Sequence, residues 1–344
     1  MLIENRKIIF ILIFVLSFFT FNLKSFAEEF NISAKEISVD KDKNILIGKG
    51  SVKAVDSQGK IILADKITYQ KNTEFLIAEG NVLVDDKDGN ILKSDKATYD
   101  KINEIISTYN NTELTTNNGY KLLTKNILYN IEKKLLNTKN SSILTDLDGN
   151  TITSSMFQYD INNNLFSSIG EIKIIDIKKN KYYFKEIHVD TNKKEMIGSD
   201  ISVVLDKKTF GVSEESDPRF VANDIYMTKD TSIMNKGVFT VCKKEENKCP
   251  AWSLRAKKIL HEKAKKTIYY EHAILRLYDF PIFYFPKFFH PDPTVKRQSG
   301  FLTPIFSTSS VMGNGFGLPY YWAIDKNKDF TLTQKYYSKE NMLF

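Results

Sequence analysis

Leu83-Val84-Asp85-Asp86-Lys87-Asp88-Gly89-Asn90-Ile91-Leu92 places an Asp-Gly turn between two apolar-alternating runs, the strongest short-range hairpin signal a sequence carries. The same signal returns at Gly59, Gly119 and Gly149, preceded by Gln58, Asn118 and Asp148, and it breaks at Lys179-Asn180. These turns mark a 30-residue period running from Ala34 to Leu205. A second polar turn opens each time at Asp40, Gln70, Asp100, Asn130, Asp160 and Asp190, residue types that bond their own backbone in turns. Two turns per period leave two strands of roughly 11 residues, each about 36 Å long at ~3.3 Å rise.

Other columns of the repeat carry shape. Gly50, Gly80, Asn110, Asn140, Gly170 and Asp200 share one position, and these types enter positive φ at least cost, so each strand is expected to kink there. Apolar columns run between the turns. Ile37, Ile67, Ala97, Ile127, Phe157 and Ile187 form one; Leu46, Leu76, Ile106, Leu136, Phe166 and Met196 form another. Val39, Tyr69, Tyr99, Tyr129, Tyr159 and Val189 stand two residues after the first. The fold class is therefore all-β: a stack of repeated hairpins whose sheet folds over at the kinks into a V or jelly-roll section, a β-taco. Its inner apolar columns either pack into a dry core, making a rigid spacer, or line an open groove able to carry acyl chains. Ile37, Ile67, Ile127, Phe157, Ile187, Leu46, Leu76, Ile106, Leu136, Phe166 and Met196 are the candidate lining of that groove. The first repeat starts almost at Phe30 with no capping helix or proline, and such an edge invites strand addition by another β-stack.

Composition narrows the class. The 344 residues carry a formal charge of +7. Residues 1–27 hold Glu4 against Arg6, Lys7 and Lys24, so without them the charge is +7 − 2 = +5. That mild excess suits an anionic partner such as a phosphorylated glycolipid and lacks the clustered basic stripe of a nucleic-acid binder. Arg6-Lys7, an apolar run from Ile8 to Phe21 and Ser25-Phe26-Ala27 read as a secretory signal peptide over 1–27. Two cysteines, Cys242 and Cys249, form a candidate local disulfide fit for an oxidising compartment, the alternative being a partner beyond the chain. His188, His261, His272 and His290 make no metal spacing, no nucleophile elbow or phosphate loop is present, and neither enzyme nor cofactor is expected.

Beyond Asp206 the period slips, and beyond Leu277 the character changes. Phe280 to Pro293 is dense in aromatic residues and holds four of the eight prolines, which marks a junction rather than a central sheet. Asp329-Phe330-Thr331-Leu332-Thr333-Gln334-Lys335-Tyr336-Tyr337 alternates polar with apolar residues as a membrane barrel strand does.

Here a family resemblance enters. Ser299-Gly300-Phe301-Leu302 with Pro304, Leu318-Pro319-Tyr320-Tyr321-Trp322, and Asp329 with Thr331-Leu332-Thr333 look like the start of the barrel in the outer-membrane LPS-assembly LptD (OstA/Imp) family. Phe283-Tyr284 with Pro286, and Asp217-Pro218-Arg219-Phe220, are similar too. The repeated half resembles that family's periplasmic OstA-type domain, shared with the bridge protein LptA. The resemblance implies a periplasmic β-jelly-roll domain over 28–280, then a junction and the first strands of a barrel over 281–344, incomplete at Phe344. It implies lipopolysaccharide transport and assembly: lipid received from an LptA-type bridge, carried in the apolar groove, and released to the outer membrane through a lateral gate. Pro291, Pro293 and Pro304 match the neighbourhoods of that gate, and an LptE-type lipoprotein plug is the expected partner of the full barrel. In that family, cysteines of the periplasmic domain often pair with others late in the barrel; here Cys242 and Cys249 are only seven apart, which keeps the local bond as the candidate. The alternative is a soluble, periplasmic LptA-like bridging protein without a barrel.

Overall fold

The structure is a computed structural model, and it describes residues 30–56, 59–86, 88–210, 213–244, 250–291, 295, 297–302 and 304–339. The signal-peptide expectation for 1–27 lies outside the described residues. The fold is all-β, as the repeat predicts, and among the described residues the one helical element is a four-residue turn, α1 (Lys207–Phe210). Contacts divide it into two compact units, 1–147 and 148–344.

The first unit opens with β1 (Asn31–Ser33) and β2 (Glu36–Asp40), which both pair with β3 (Ile45–Val55). Antiparallel pairing continues through β4 (Ile61–Gln70), β5 (Phe75–Asp85) and β6 (Ile91–Asp100). The next periods are broken at the bend into shorter strands: β7 (Ile105–Tyr109), β8 (Thr112–Thr115), β9 (Lys121–Thr124), β10 (Leu128–Asn130), β11 (Leu135–Asn137) and β12 (Ser142–Thr145).

The second unit holds β13 (Thr151–Ser154), β14 (Phe157–Asp160), β15 (Leu165–Ile175), β16 (Lys181–Asp190) and β17 (Glu195–Val204). Past α1 come β18 (Arg219–Met227), β19 (Thr231–Thr240), β20 (Trp252–Glu262), β21 (Thr267–Leu277) and β22 (Phe280–Pro291), each paired with its sequence neighbours. A separate four-stranded sheet contains β23 (Gly300–Phe301), β24 (Ile305–Ser309), β25 (Gly313–Asp325) and β26 (Lys328–Tyr337).

The turns follow their chemistry. Gly59, Gly89, Gly119 and Gly149 all have φ between 82° and 95°, and Lys179 takes their place at φ 67°. Lys179 tolerates that conformation because Asp176 holds the turn closed, accepting from the Asn180 backbone at 2.8 Å. In the second turn type the leading aspartate caps the loop: Asp100 and Asp160 accept from the N–H groups of Asn103 and Asn163, both at 3.0 Å. The turn's last residue, at Asn44, Glu74, Glu104, Lys134, Asn164 and Lys194, also has positive φ, a requirement the residue types do not advertise.

At the predicted kink column Gly50, Gly80, Asn110, Gly170 and Asp200 have positive φ, while Asn140 does not share it. Gly50 and Ser51 together oppose Asp65, and the register slips by one residue between Lys49 and Val52. This is a β-bulge, and it bends the strand so that its two halves enclose a common interior. Gly48 and Val52 lie on either side of that bend, close enough that a Cβ at Gly48 would stand 3.1 Å from Val52. In the first unit Val52, Ala54, Ile62, Ala64, Ile67, Tyr69, Leu76, Ala78 and Val82 form one buried cluster. In the second, Ile172, Phe184, Ile187, Ile201, Val203, Ala222 and Ile225 form another, and Ala256, Ile259, Tyr270 and Ala273 a third.

Candidate functional site

Two features are candidates for a functional site: the apolar interior of the bent hairpins and the exposed aromatic face of the four-stranded sheet.

Antiparallel register brings the predicted columns together, because directly opposed residues share a face. Tyr69 lies across from both Leu46 and Leu76, and Tyr99 across from Leu76 and Ile106. Tyr129 faces Ile106 and Leu136 in the same way. In the second unit Tyr159 and Val189 flank Phe166, and Val189 also meets Met196. The other column is deeper. Ile67, Ile127, Phe157 and Ile187 are all buried, whereas Ile37 is 50% exposed because, among the described residues, no earlier repeat covers it. Leu76 is buried; Leu46, Ile106, Leu136, Phe166 and Met196 are half-buried.

A further column explains that depth. Gly48, Ala78, Thr108, Thr138, Ser168 and Gly198 recur at the same 30-residue spacing and are all buried. Ile67 sits between Gly48 and Ala78, and Ile187 between Ser168 and Gly198. The small residues leave room for the large ones, so the interior is dry and closed beside the bend. Toward the hairpin ends it loosens. Ile62, Leu76, Ala78, Val84, Ala97 and Ile106 border an apolar cavity of about 40 Å³ in the first unit. In the second unit the half-buried lining includes Met196, Met227 and Met234, flexible side chains suited to irregular apolar contents. Two inner columns beyond the predicted set thus contribute, Ala54-Val84-Ile174 and Ile62-Leu92-Ile152-Tyr182, and their 30-residue spacing was the signal that could have found them.

The second feature lies on β23 to β26. Phe306 pairs with Phe316, Phe316 with Tyr336, Tyr320 with Phe301 and Leu332, and Trp322 with Phe330. One face of the sheet is therefore mostly aromatic and aliphatic, interrupted by Gln334 opposite Leu318, with Phe301, Phe306 and Trp322 each more than half exposed. The opposite face is polar: Arg297 donates to the Tyr321 hydroxyl at 2.9 Å and ion-pairs with Asp329, and Thr331 and Lys335 lie on the same side. An apolar patch of this extent on a soluble surface is unusual, and one-sided alternation is the pattern of a lipid-facing barrel strand. No helix among the described residues is long and apolar enough to cross a membrane, which leaves strands unaddressed.

The remaining predicted residues are placed as follows. Pro291 ends β22 opposite Thr267, Pro304 is exposed just before β24, and Pro293 lies outside the described residues. Cys242 is half-buried with its Sγ 3.6 Å from the Trp252 carbonyl; its predicted partner Cys249 lies outside the described residues. Among the described residues no group of His, Cys, Asp and Glu is arranged to hold a metal ion.

Residues 268–343 match the family model described as LptD protein. Two relatives are the LPS-assembly protein LptD of Pasteurella multocida (strain Pm70), 36% identical over 118 residues, and that of Pseudomonas aeruginosa (strain UCBPP-PA14), 36% identical over 121 residues. Those alignments take in 34% and 35% of this chain but only 15% and 12% of the relatives' length. A solved structure of LptH from Pseudomonas aeruginosa, described as the LptA homologous periplasmic component of the lipopolysaccharide transport device, aligns at 14% identity with a TM-score of 0.30. That alignment covers 32% of this chain and 82% of LptH.

Proposed function

We propose that this chain, related to the LptD family through its carboxyl-terminal third, is an outer-membrane component that transports and assembles lipopolysaccharide. In this reading residues 28–280 form a periplasmic domain delivered by the 1–27 signal peptide, and 281–344 hold the proline-rich junction and the first strands of a membrane barrel. Acyl chains ride between the arms of the bent hairpins, against Leu76, Ile106, Leu136, Phe166 and their neighbours. Ile37 and Val39, 50% and 56% exposed on the edge strand β2, are where an LptA-type bridge would add a strand and restore the covering every later repeat enjoys. An LptE-type lipoprotein would plug the complete barrel, and Pro291, Pro293 and Pro304 would weaken strand pairing at its lateral gate.

The observation that carries the reading is the two-faced sheet of β23 to β26, which lies inside the matched region and carries its exposed Phe and Trp side chains on one side, with Arg297, Asp329, Thr331 and Lys335 on the other. A soluble bridging protein would gain nothing from that surface and would aggregate through it. The test is photocrosslinking to lipopolysaccharide from Leu76, Ile106, Leu136 and Phe166, with outward-facing Lys93 as control. Adducts at the four interior positions and none at Lys93 support the function; equal labelling at Lys93, or no adducts at all, would refute it.

A further inference from the structure

The interior of the first unit already has an occupant from its own chain. Phe30 precedes β1, which runs antiparallel to the end of β3 with Asn31 opposite Val55. From there the Phe30 ring turns inward across the opening between the two arms. It meets Tyr69 edge-on at 6.1 Å and Tyr99 edge-on at 6.3 Å, on the second and third repeats. The same ring packs on the buried cluster and bounds the apolar cavity of about 40 Å³ that Leu76, Val84, Leu92 and Ile106 line. A cavity of that size takes about one water or methyl group, far less than an alkyl chain.

We infer that Phe30 is a displaceable plug: it fills the position of an alkyl chain at the mouth of the first unit, and such a chain enters only by expelling it. The inference rests on the reading that this interior holds apolar chains. Phe30 is suited to the task because, among the described residues, little else retains the segment. β1 is three residues long, it lies on the edge, and of its side chains only Ile32 is partly buried. Short edge segments with few buried contacts open locally at low cost. A ring held edge-to-face by two tyrosines shields the apolar interior from water yet exchanges an apolar contact for an apolar contact when a chain arrives. Release of Phe30 also frees the edge of β3 that β1 covers, so filling of the interior is coupled to exposure of that edge.

The experiment titrates the purified chain with the uncharged fluorophore N-phenyl-1-naphthylamine, comparing wild type, Phe30→Ala and Phe30→Leu. Each is paired with Ile106→Trp, which fills the cavity, so that only binding lost on that change counts and the exposed aromatic sheet drops out. Circular dichroism and thermal melting establish that each variant is folded. Phe30→Ala is expected to bind about tenfold more tightly, the change that removing a ~1.4 kcal/mol competitor produces, with Phe30→Leu between. Amide hydrogen exchange on the wild-type chain supplies a reading free of substitutions: protection of the β1 amides that point to β3 falls as the fluorophore binds. Equal affinity in wild type and Phe30→Ala, both abolished by Ile106→Trp, would overturn the plug and leave the interior reading standing. Absence of any Ile106→Trp-sensitive binding would overturn both.

Discussion

The side-chain oxygen of Asn90 accepts a hydrogen bond from the backbone N–H of Asn117, 3.1 Å away and 27 residues further along the chain. The same amide holds its own turn, donating to Asp86 at 2.8 Å. Asn150 reaches Ile177 at 3.1 Å, and Asn180 reaches Asp206 at 2.8 Å, in the same manner. At these three turns an asparagine ties one hairpin to the next by accepting from a backbone N–H that a turn would otherwise leave to water, whereas Lys60 and Tyr120 stand at the equivalent positions of the other repeats.

Asn180→Ala removes both roles at a position only 8% exposed. It leaves the Asp206 N–H and a carboxylate oxygen of Asp176 without this partner. A loss of about 1–3 kcal/mol follows, as for other half-broken polar networks. Denaturant unfolding followed by tryptophan fluorescence measures it, and an unchanged midpoint would show the tie to be decorative.

Acid should loosen the stack through its turns. Asn103 holds Asp100 below the usual carboxylate range through its side chain; the N–H groups of Asn163 and Lys193 do so for Asp160 and Asp190. Glu79 is lowered chiefly by the Lys66 ammonium, 3.1 Å away, with Lys96 at the same distance on its other side. A carboxylate whose folded pKa is depressed stabilises the fold fully above its unfolded value of about 4 and loses that contribution as pH falls through the lower folded value. Melting temperature should therefore hold from neutral pH to about pH 5 and fall below about pH 4. Asp100→Asn combined with Asp160→Asn should flatten that decline; a curve of the same steepness would contradict the assignment.

Neighbouring residues on β26 separate the two faces of the sheet. Leu332 lies on the aromatic face opposite Tyr320, and Thr333 on the other face opposite Pro319. An arginine facing lipid costs about 2–4 kcal/mol at the bilayer midplane, and far less where it faces water. On the proposed membrane reading, Leu332→Arg should therefore impair insertion of the chain into lipid vesicles, scored by protease protection, while Thr333→Arg inserts as wild type does. Equal insertion by both would remove the lipid-facing assignment.

The sequence by itself determined the period, both turns and the bend. Those depend on residues a few positions apart: an aspartate capping the N–H three residues on, a glycine at positive φ, an alternation that assigns faces. Even the small column from Gly48 to Gly198 was written at the same spacing, although its meaning appears only once Ile67 and Ile187 are seen seated in it. What the tertiary structure alone decided is how deep each member of a column lies. Ile37 and Ile67 occupy equivalent positions, yet one is half exposed and the other fully buried, because burial depends on whether a distant segment lies alongside. For the same reason no local pattern marks Phe30: its neighbours Tyr69 and Tyr99 are brought to it by strand register and by the fold of the sheet upon itself, contacts between residues far apart in the chain.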